Sequence, residues 1–221
     1  MDSLRFQGVI HSKRVSAVMK RVDRAKYVSE SLAPYSDCPQ PIGDGQTISA
    51  PHMHAQALEI LEPFLQPGSC ALDVGCGSGY LTSCMGLLVS PGGCVVGIEN
   101  REDLVDLAHS NIASTDEKQL LSSGTVMLKL GTGWTGEGYL SPGKEENVFD
   151  AIHVGAAADS MPEILISAVK SPGRMVIPVG PQWGSQVFMV VDKDKFGSVT
   201  QRELMSVMYV PLEQQLRPRG S

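Results

Sequence analysis

An aspartate, a glycine turn and a second acid carry the most chemical information in this chain of 221 residues. Asp73 sits near the end of the apolar run Cys70-Ala71-Leu72-Asp73-Val74, which leads directly into Gly75-Cys76-Gly77-Ser78-Gly79. Only glycine, lacking Cβ and free to take positive φ, lets a backbone turn lie close against a ligand. A second apolar run, Val95-Val96-Gly97-Ile98, then delivers Glu99. Nucleotide-binding α/β units place the acid that holds a ribose at about this separation, and a carboxylate there accepts two hydrogen bonds from a vicinal diol. The set implies an adenosine-containing cofactor. A dinucleotide fingerprint, GxGxxG, would need glycine at position 80, where this chain has Tyr80; its glycines fall at 75, 77 and 79. Each acid also has a plainer role open to it: Asp73 as a cap for the helix after the turn, Glu99 as a solvated acid at a strand end.

These residues need a scaffold, and the hydrophobic pattern predicts one. Val15, Val18, Met19 and Val22 recur at helical spacing, with Lys13, Arg14, Lys20 and Arg21 on other faces, so residues 3–21 read as one or two amphipathic helices. A Pro/Gly-rich loop (Pro34, Pro39, Pro41, Gly43, Gly45) follows over 34–51. Ser49-Ala50-Pro51 then opens a helix to about Leu65, with proline in the first turn and the serine available as a cap. From there strands Cys70–Val74, Val95–Ile98, Thr125–Leu130, Phe149–Val154 and Arg174–Val179 alternate with helices Tyr80–Leu88, Glu102–Ile112 and Pro162–Val169, the last stopped by Pro172-Gly173. Gly131, Gly133, Gly136 and Gly138 mark a loop before Phe149. Such alternation predicts an α/β fold: a doubly wound, mostly parallel Rossmann-like sheet. Gln186–Val191 and Glu203–Val210 follow each other without a helix and are expected as antiparallel strands on its edge. The expected organisation is an N-terminal helical extension with an active-site loop (1–66), a cofactor-binding domain (67–214) and a tail (215–221), in which Pro218-Arg219-Gly220-Ser221 resembles a protease-cleavage scar without functional weight.

Composition narrows the function classes. A hydrophobic content of 42% supports a substantial core, no apolar run approaches the ~20 residues of a membrane span, and Met1-Asp2-Ser3-Leu4-Arg5 holds no signal-peptide core. The net charge of −6 argues against nucleic acid as a partner. Cys38, Cys70, Cys76, Cys84 and Cys94 show no CxxC pair and no metal-ligand spacing, so they read as thiols in a reducing cytoplasm. His52 and His54, two positions apart, do not share a helix face and make no metal pair.

GxGxG after an apolar strand ending in aspartate resembles class I methyltransferases, which bind S-adenosyl-L-methionine and release S-adenosyl-L-homocysteine. In that resemblance Asp73 engages the amino end of the methionine and Glu99 the ribose hydroxyls. The flanking segments are more specific. Asp37-Cys38-Pro39-Gln40-Pro41-Ile42-Gly43, Gln46-Thr47-Ile48-Ser49-Ala50-Pro51-His52-Met53-His54-Ala55, Phe149–Ala157, Ile177-Pro178-Val179-Gly180 and Tyr209-Val210-Pro211-Leu212 closely resemble the protein-L-isoaspartate (D-aspartate) O-methyltransferases over about residues 20–212. That family methylates the α-carboxyl of L-isoaspartyl residues in damaged proteins, and the ester then closes to a succinimide whose hydrolysis restores some aspartate. The resemblance implies catalytic roles for Ser49 and Thr47. It also implies a donor site of Gln46, Thr47, Ile48, Ser49, His54, Asp73, Gly75, Gly77, Ser78, Gly79, Glu99, Asn100, Thr132 and Gly133. For the substrate cleft it implies Ser49, Ala50, Gly155, Ala156, Ala157, Pro178 and Val179. A monomer acting on L-isoaspartyl and D-aspartyl proteins and peptides, with no nucleic acid and no membrane, goes with it.

The chemistry suits the residues. A carboxylate of pKa ~3.9 is ionised at neutral pH and needs no general base, so alignment with the sulfonium methyl and exclusion of water carry the rate. One departure stands out: the family pattern Gly-Asp-Gly after the third strand is Gly131-Thr132-Gly133 here, which predicts weaker donor binding. Two alternatives stay open: a methyltransferase for another nucleophile, and a donor-binding protein of the same fold with weak or lost turnover.

Overall fold

The structure, a computed structural model, describes residues 2–29, 33–43, 45–141, 146, 148–182 and 184–219; Gly220 and Ser221 of the expected scar lie outside them. The central sheet is built from the apolar runs β3 (Cys70–Val74), β4 (Cys94–Glu99), β5 (Val126–Leu130), β6 (Phe149–Val154), β7 (Val169–Val179), β8 (Gln186–Lys193) and β9 (Val199–Val207), in the order β5-β4-β3-β6-β7-β8-β9. The pairs from β5 to β7 are parallel, and β7-β8-β9 are antiparallel. This is the expected doubly wound sheet with an antiparallel edge.

Two-residue alternation assigns each strand residue a face. Ala71, Val95, Ala151 and Val176 point into one apolar cluster, and Leu72, Val96, Ile152 and Ile177 into another. The first cluster is closed by α2 (Lys13–Arg21), α3 (Pro51–Leu61) and α4 (Tyr80–Val89). The second lies under α7 (Glu163–Ala168), with Leu165 and Ile166 buried. Short α1 (Asp2–Phe6) precedes α2, while α5 (Glu102–Ala113) and α6 (Gln119–Ser122) connect β4 to β5. Val15, Val18, Met19 and Val22 are buried as their spacing predicts. The Arg14 guanidinium locks the extension down, reaching Glu62 at 2.5 Å and the carbonyls of Leu65 and Leu88 at 2.7 and 2.8 Å.

Four expectations are corrected. The loop 34–51 contains an antiparallel pair, β1 (Gln40–Gly43) with β2 (Gln46–Ile48). Ser49 is not the cap of α3: Ala50 holds that position without a side-chain hydrogen bond, its carbonyl accepting from Met53 and His54. Pro172-Gly173 does not end a helix but lies inside β7, where the pairing with β6 skips from Val169 to Arg174. Finally, Cys70 and Cys94 are not both thiols. They are register partners on adjacent strands, with Cα atoms 4.6 Å apart, and form a disulfide, whereas Cys38, Cys76 and Cys84 are free. Sequence separation hid a pair that the parallel register creates.

Candidate active site

Chain direction around the sheet reverses between β3 and β6, which are hydrogen-bonded neighbours although far apart in sequence. Doubly wound sheets bind ligands in the crevice at the carboxyl ends of such strands. Here β3 runs out at Val74 into Gly75, and β6 at Val154 into Gly155. Three adjoining cavities open at this point, and Thr47 and Gly155 form part of the wall of each. Gln46, Gly75, Gly77, Glu99, Asn100, Thr132, Gly133 and Ala156 line the first. Ile48, Ser49, His54, Asp73, Gly75, Gly77 and Ser78 line the second. Ser49 and Ala50 continue into the third, an open cleft walled on its far side by Met205–Pro211.

In the first cavity Glu99 is buried and oriented by backbone: Gly77 N–H donates to Oε2 at 3.1 Å and Asn100 N–H to Oε1 at 2.9 Å. Burial pushes its carboxyl pKa up, while the amides of Gly77, Asn100 and Arg101 and the Arg101 charge pull the other way. Thr132 is also buried, its Oγ1 accepting from Trp134 N–H at 3.1 Å. The indole of Trp134 donates to the Leu212 carbonyl at 3.0 Å, pinning the loop after β9 over the cavity. Glu213, on the same wall, accepts from Asn100 Nδ2 at 2.9 Å and from Arg101 at 3.2 Å.

Asp73, 1% exposed, dominates the second cavity. Its two oxygens accept from the Thr82 hydroxyl at 2.5 Å and from His153 Nδ1 at 2.8 Å. Opposite, His54 is buried beside the Tyr80 ring, with 5.1 Å between ring centroids. Desolvation, reinforced by the charges of Arg24, His153 and His52, holds its pKa well below the usual imidazole value, so it is neutral. His52 faces away and pairs with Asp37 at 2.9 Å. The Ser78 hydroxyl is buried without a partner among the described residues. The cavity thus presents a carboxylate, a neutral imidazole and an unspent hydroxyl against glycine backbone, which fits a zwitterionic amino-acid end attached to an adenosine.

Ser49, where the second cavity meets the third, shares the wall of the third with Tyr209, and its hydroxyl pulls the Tyr209 pKa down against burial. Burial pushes the Tyr209 pKa up to about 12, so it stays protonated at neutral pH. Its backbone is clamped by buried Gln186, which accepts from Tyr209 N–H at 2.6 Å and donates to its carbonyl at 3.2 Å.

The remaining expected residues stand one layer back. Gly79, at φ +86°, starts α4 and lines none of these cavities. Ala157 binds the 209–212 loop through its backbone, donating to Val210 O at 2.8 Å and accepting from Leu212 N–H at 2.7 Å. Pro178 and Val179 hold Ala158 rather than facing the cleft.

The family described as protein-L-isoaspartate(D-aspartate) O-methyltransferase matches residues 1–217. The chain belongs to the protein-L-isoaspartate(D-aspartate) O-methyltransferase family. A protein-L-isoaspartate O-methyltransferase of Triticum aestivum is 45% identical over 212 residues, covering 96% of this chain and 89% of its own length. One from Caenorhabditis elegans is 44% identical, covering 96% and 90%. A Plasmodium falciparum chain assigned to the same enzyme class, solved in complex with S-adenosyl-L-homocysteine, superposes with a TM-score of 0.86 at 37% identity, over 97% of this chain and 96% of that one.

For this member of the isoaspartate methyltransferase family, sequence reading missed several residues of the crevice. His153 lay within the segment that carried the resemblance, and Tyr209 within another, but nothing in either marked the contact with Asp73 or the shared cleft with Ser49. Thr82, Gln186, Glu213 and Arg24 had no local signal, since each reaches the site only through tertiary contacts. The tail also has a place: Arg217 N–H donates to Asn100 O at 2.7 Å, and Arg219 forms ion pairs with Asp103 and Asp106 in the acidic start of α5.

Proposed function

We infer that this protein transfers a methyl group from S-adenosyl-L-methionine to the free α-carboxyl of L-isoaspartyl residues, and of D-aspartyl residues, in damaged proteins and peptides. The carrying observation is that Ser49 stands on the common wall between the cavity of Asp73 and the open cleft beside Met205–Pro211. The glycine backbone, Glu99, Asp73 and the unpartnered Ser78 hydroxyl suit the donor's ribose and methionine. Bound there, S-adenosylmethionine supplies an electrophilic methyl on a sulfonium.

The chain's own residues then have a limited task. An ionised carboxylate needs no base. Ser49 and Tyr209, which keeps its proton at neutral pH, stand on the wall of the open cleft with hydroxyls able to donate to the substrate carboxylate. Thr47 and the small Gly155 wall admit a peptide backbone beside it. Holding the oxygen in line and shedding water supply the rate. No helix among the described residues is long and apolar enough to cross a membrane.

The test uses methyl-labelled S-adenosylmethionine with two peptides differing only in isoaspartyl or aspartyl linkage. Base-labile label on the isoaspartyl peptide alone is expected. Equal labelling of both, or none while donor binds, overturns the reading.

A further inference from the structure

The N-terminal extension places a cation behind the wall of the second cavity that the chemistry above leaves unused. Arg24, 5% exposed, follows α2 in a short turn. Its Nε donates to Pro34 O at 3.0 Å, and its guanidinium lies 5.8 Å from the centroid of the Tyr80 ring. Its NH1 stands 3.5 Å from His54 Nδ1, and its NH2 has no hydrogen-bond partner among the described residues. No carboxylate among the described residues is paired with it. The Asp37 charge acts on it, but that carboxylate is paired with His52; a guanidinium buried without a directly bound counter-ion is costly, a cost that an anion bound nearby offsets. The other buried side-chain atom without a partner, Ser78 Oγ, lies on the wall of the same cavity as His54 and Tyr80. Arg24 itself lines none of the three cavities and stands behind this one, against His54 and Tyr80 of its wall.

We propose that Arg24 is a positioning residue that organises His54 and Ser78 into a carboxylate subsite for the methionine end of the donor. Arginine has donors only. Facing it, His54 Nδ1 must accept, so the ring keeps its proton on Nε2. That N–H and the Ser78 hydroxyl then serve as donors to the carboxylate, while Arg24 supplies the positive potential behind them. Asp73 supplies the opposite sign for the ammonium. The cavity is therefore a dipole complementary to a zwitterion, and its cationic half comes from an element remote from the glycine turn. The low imidazole pKa agrees, because a protonated ring beside Arg24 would bring two cations together.

The inference rests on the donor reading of the site, and the experiment separates the two. Binding of S-adenosylhomocysteine and of its decarboxylated analogue, which lacks only the carboxylate, is measured by calorimetry for wild type, Arg24→Met, Arg24→Lys and Ser78→Ala. Arg24→Met is expected to weaken S-adenosylhomocysteine roughly 10- to 100-fold, the range for losing a charge-assisted contact, and to leave the analogue nearly unchanged. Arg24→Lys, which keeps the charge and donates only, recovers part of the loss. Ser78→Ala is expected to show the same selectivity with a smaller loss, and it carries the test should Arg24→Met not fold. Equal weakening of both ligands in every variant overturns the proposal, because a merely structural role moves both. ¹⁵N shifts showing the wild-type His54 proton on Nδ1 overturn it too. Wild type that binds neither ligand overturns the donor reading itself, and this inference with it.

Discussion

Gly79→Ala tests why the motif needs its third glycine. The residue sits at φ +86°, and an added Cβ would lie 3.2 Å from both Ala108 Cβ and Ile112 Cδ1 on α5. Two costs follow. Holding a non-glycine residue in the left-handed region costs ~1–2 kcal/mol, and forcing a methyl into a filled interface costs ~1–3 kcal/mol. The reduced freedom of the unfolded chain returns ~0.4–1 kcal/mol. The net loss is about 3 kcal/mol, which for a chain of this size lowers Tm by roughly 6–12 °C. Gly68→Ala is the internal control: its φ is +89°, but nothing lies within 4 Å of the added Cβ, so only the backbone cost applies. Thermal and urea denaturation of both variants give the difference, and titration with S-adenosylhomocysteine reads the folded fraction. Because Gly79 lines no cavity, affinity per folded molecule should hold. A Gly79→Ala variant no less stable than Gly68→Ala would refute the reasoning, since the approach of α5 would then not be the constraint.

Three further outcomes are expected. Thr132→Asp keeps an acceptor for Trp134 N–H and adds a charge, so S-adenosylhomocysteine should bind about fivefold tighter, ~1 kcal/mol from the difference between charged and neutral hydrogen bonds; unchanged calorimetric affinity would sink it. The raised pKa of Glu99 means that its proton is held more tightly in the folded state, so its contribution favours folding at low pH and is lost as pH rises through that pKa. Ribose hydroxyls need the ionised form, hence donor affinity should fall as pH drops through the same window above 4.5, and Glu99→Gln should abolish that slope. Tyr209→Phe removes a hydroxyl donor from the wall of the acceptor cleft and should cut kcat/KM for an isoaspartyl peptide roughly 2- to 12-fold, from ~0.5–1.5 kcal/mol; an equal loss of S-adenosylhomocysteine affinity would contradict a role confined to the acceptor side.

The β3–turn–α4 unit was legible because all its determinants are local: an apolar strand, glycines that permit the turn, and a helix beginning at Tyr80. The antiparallel edge was legible too, from two apolar runs with no helix between them. β1 and β2 were not, because three or four residues rich in proline and glycine carry no periodic signal, and their pairing depends on the packed loop around them. The Cys70–Cys94 disulfide and the Pro172 segment inside β7 escaped for a related reason. Both are matters of register between strands, and register has no trace in either strand alone.

By itself, then, the sequence determined the order of the elements of the central sheet, the donor-binding turn and the family, since strand and helix periodicity and glycine's backbone freedom act within a few residues. Only the tertiary structure decided which side chains come together: His153 on Asp73, Tyr209 on the same cleft wall as Ser49, and Arg24 behind His54. Those pairs lie 30 to 160 positions apart, and their geometry is set by how the sheet, α3 and the 209–212 loop pack, so no local pattern could announce them.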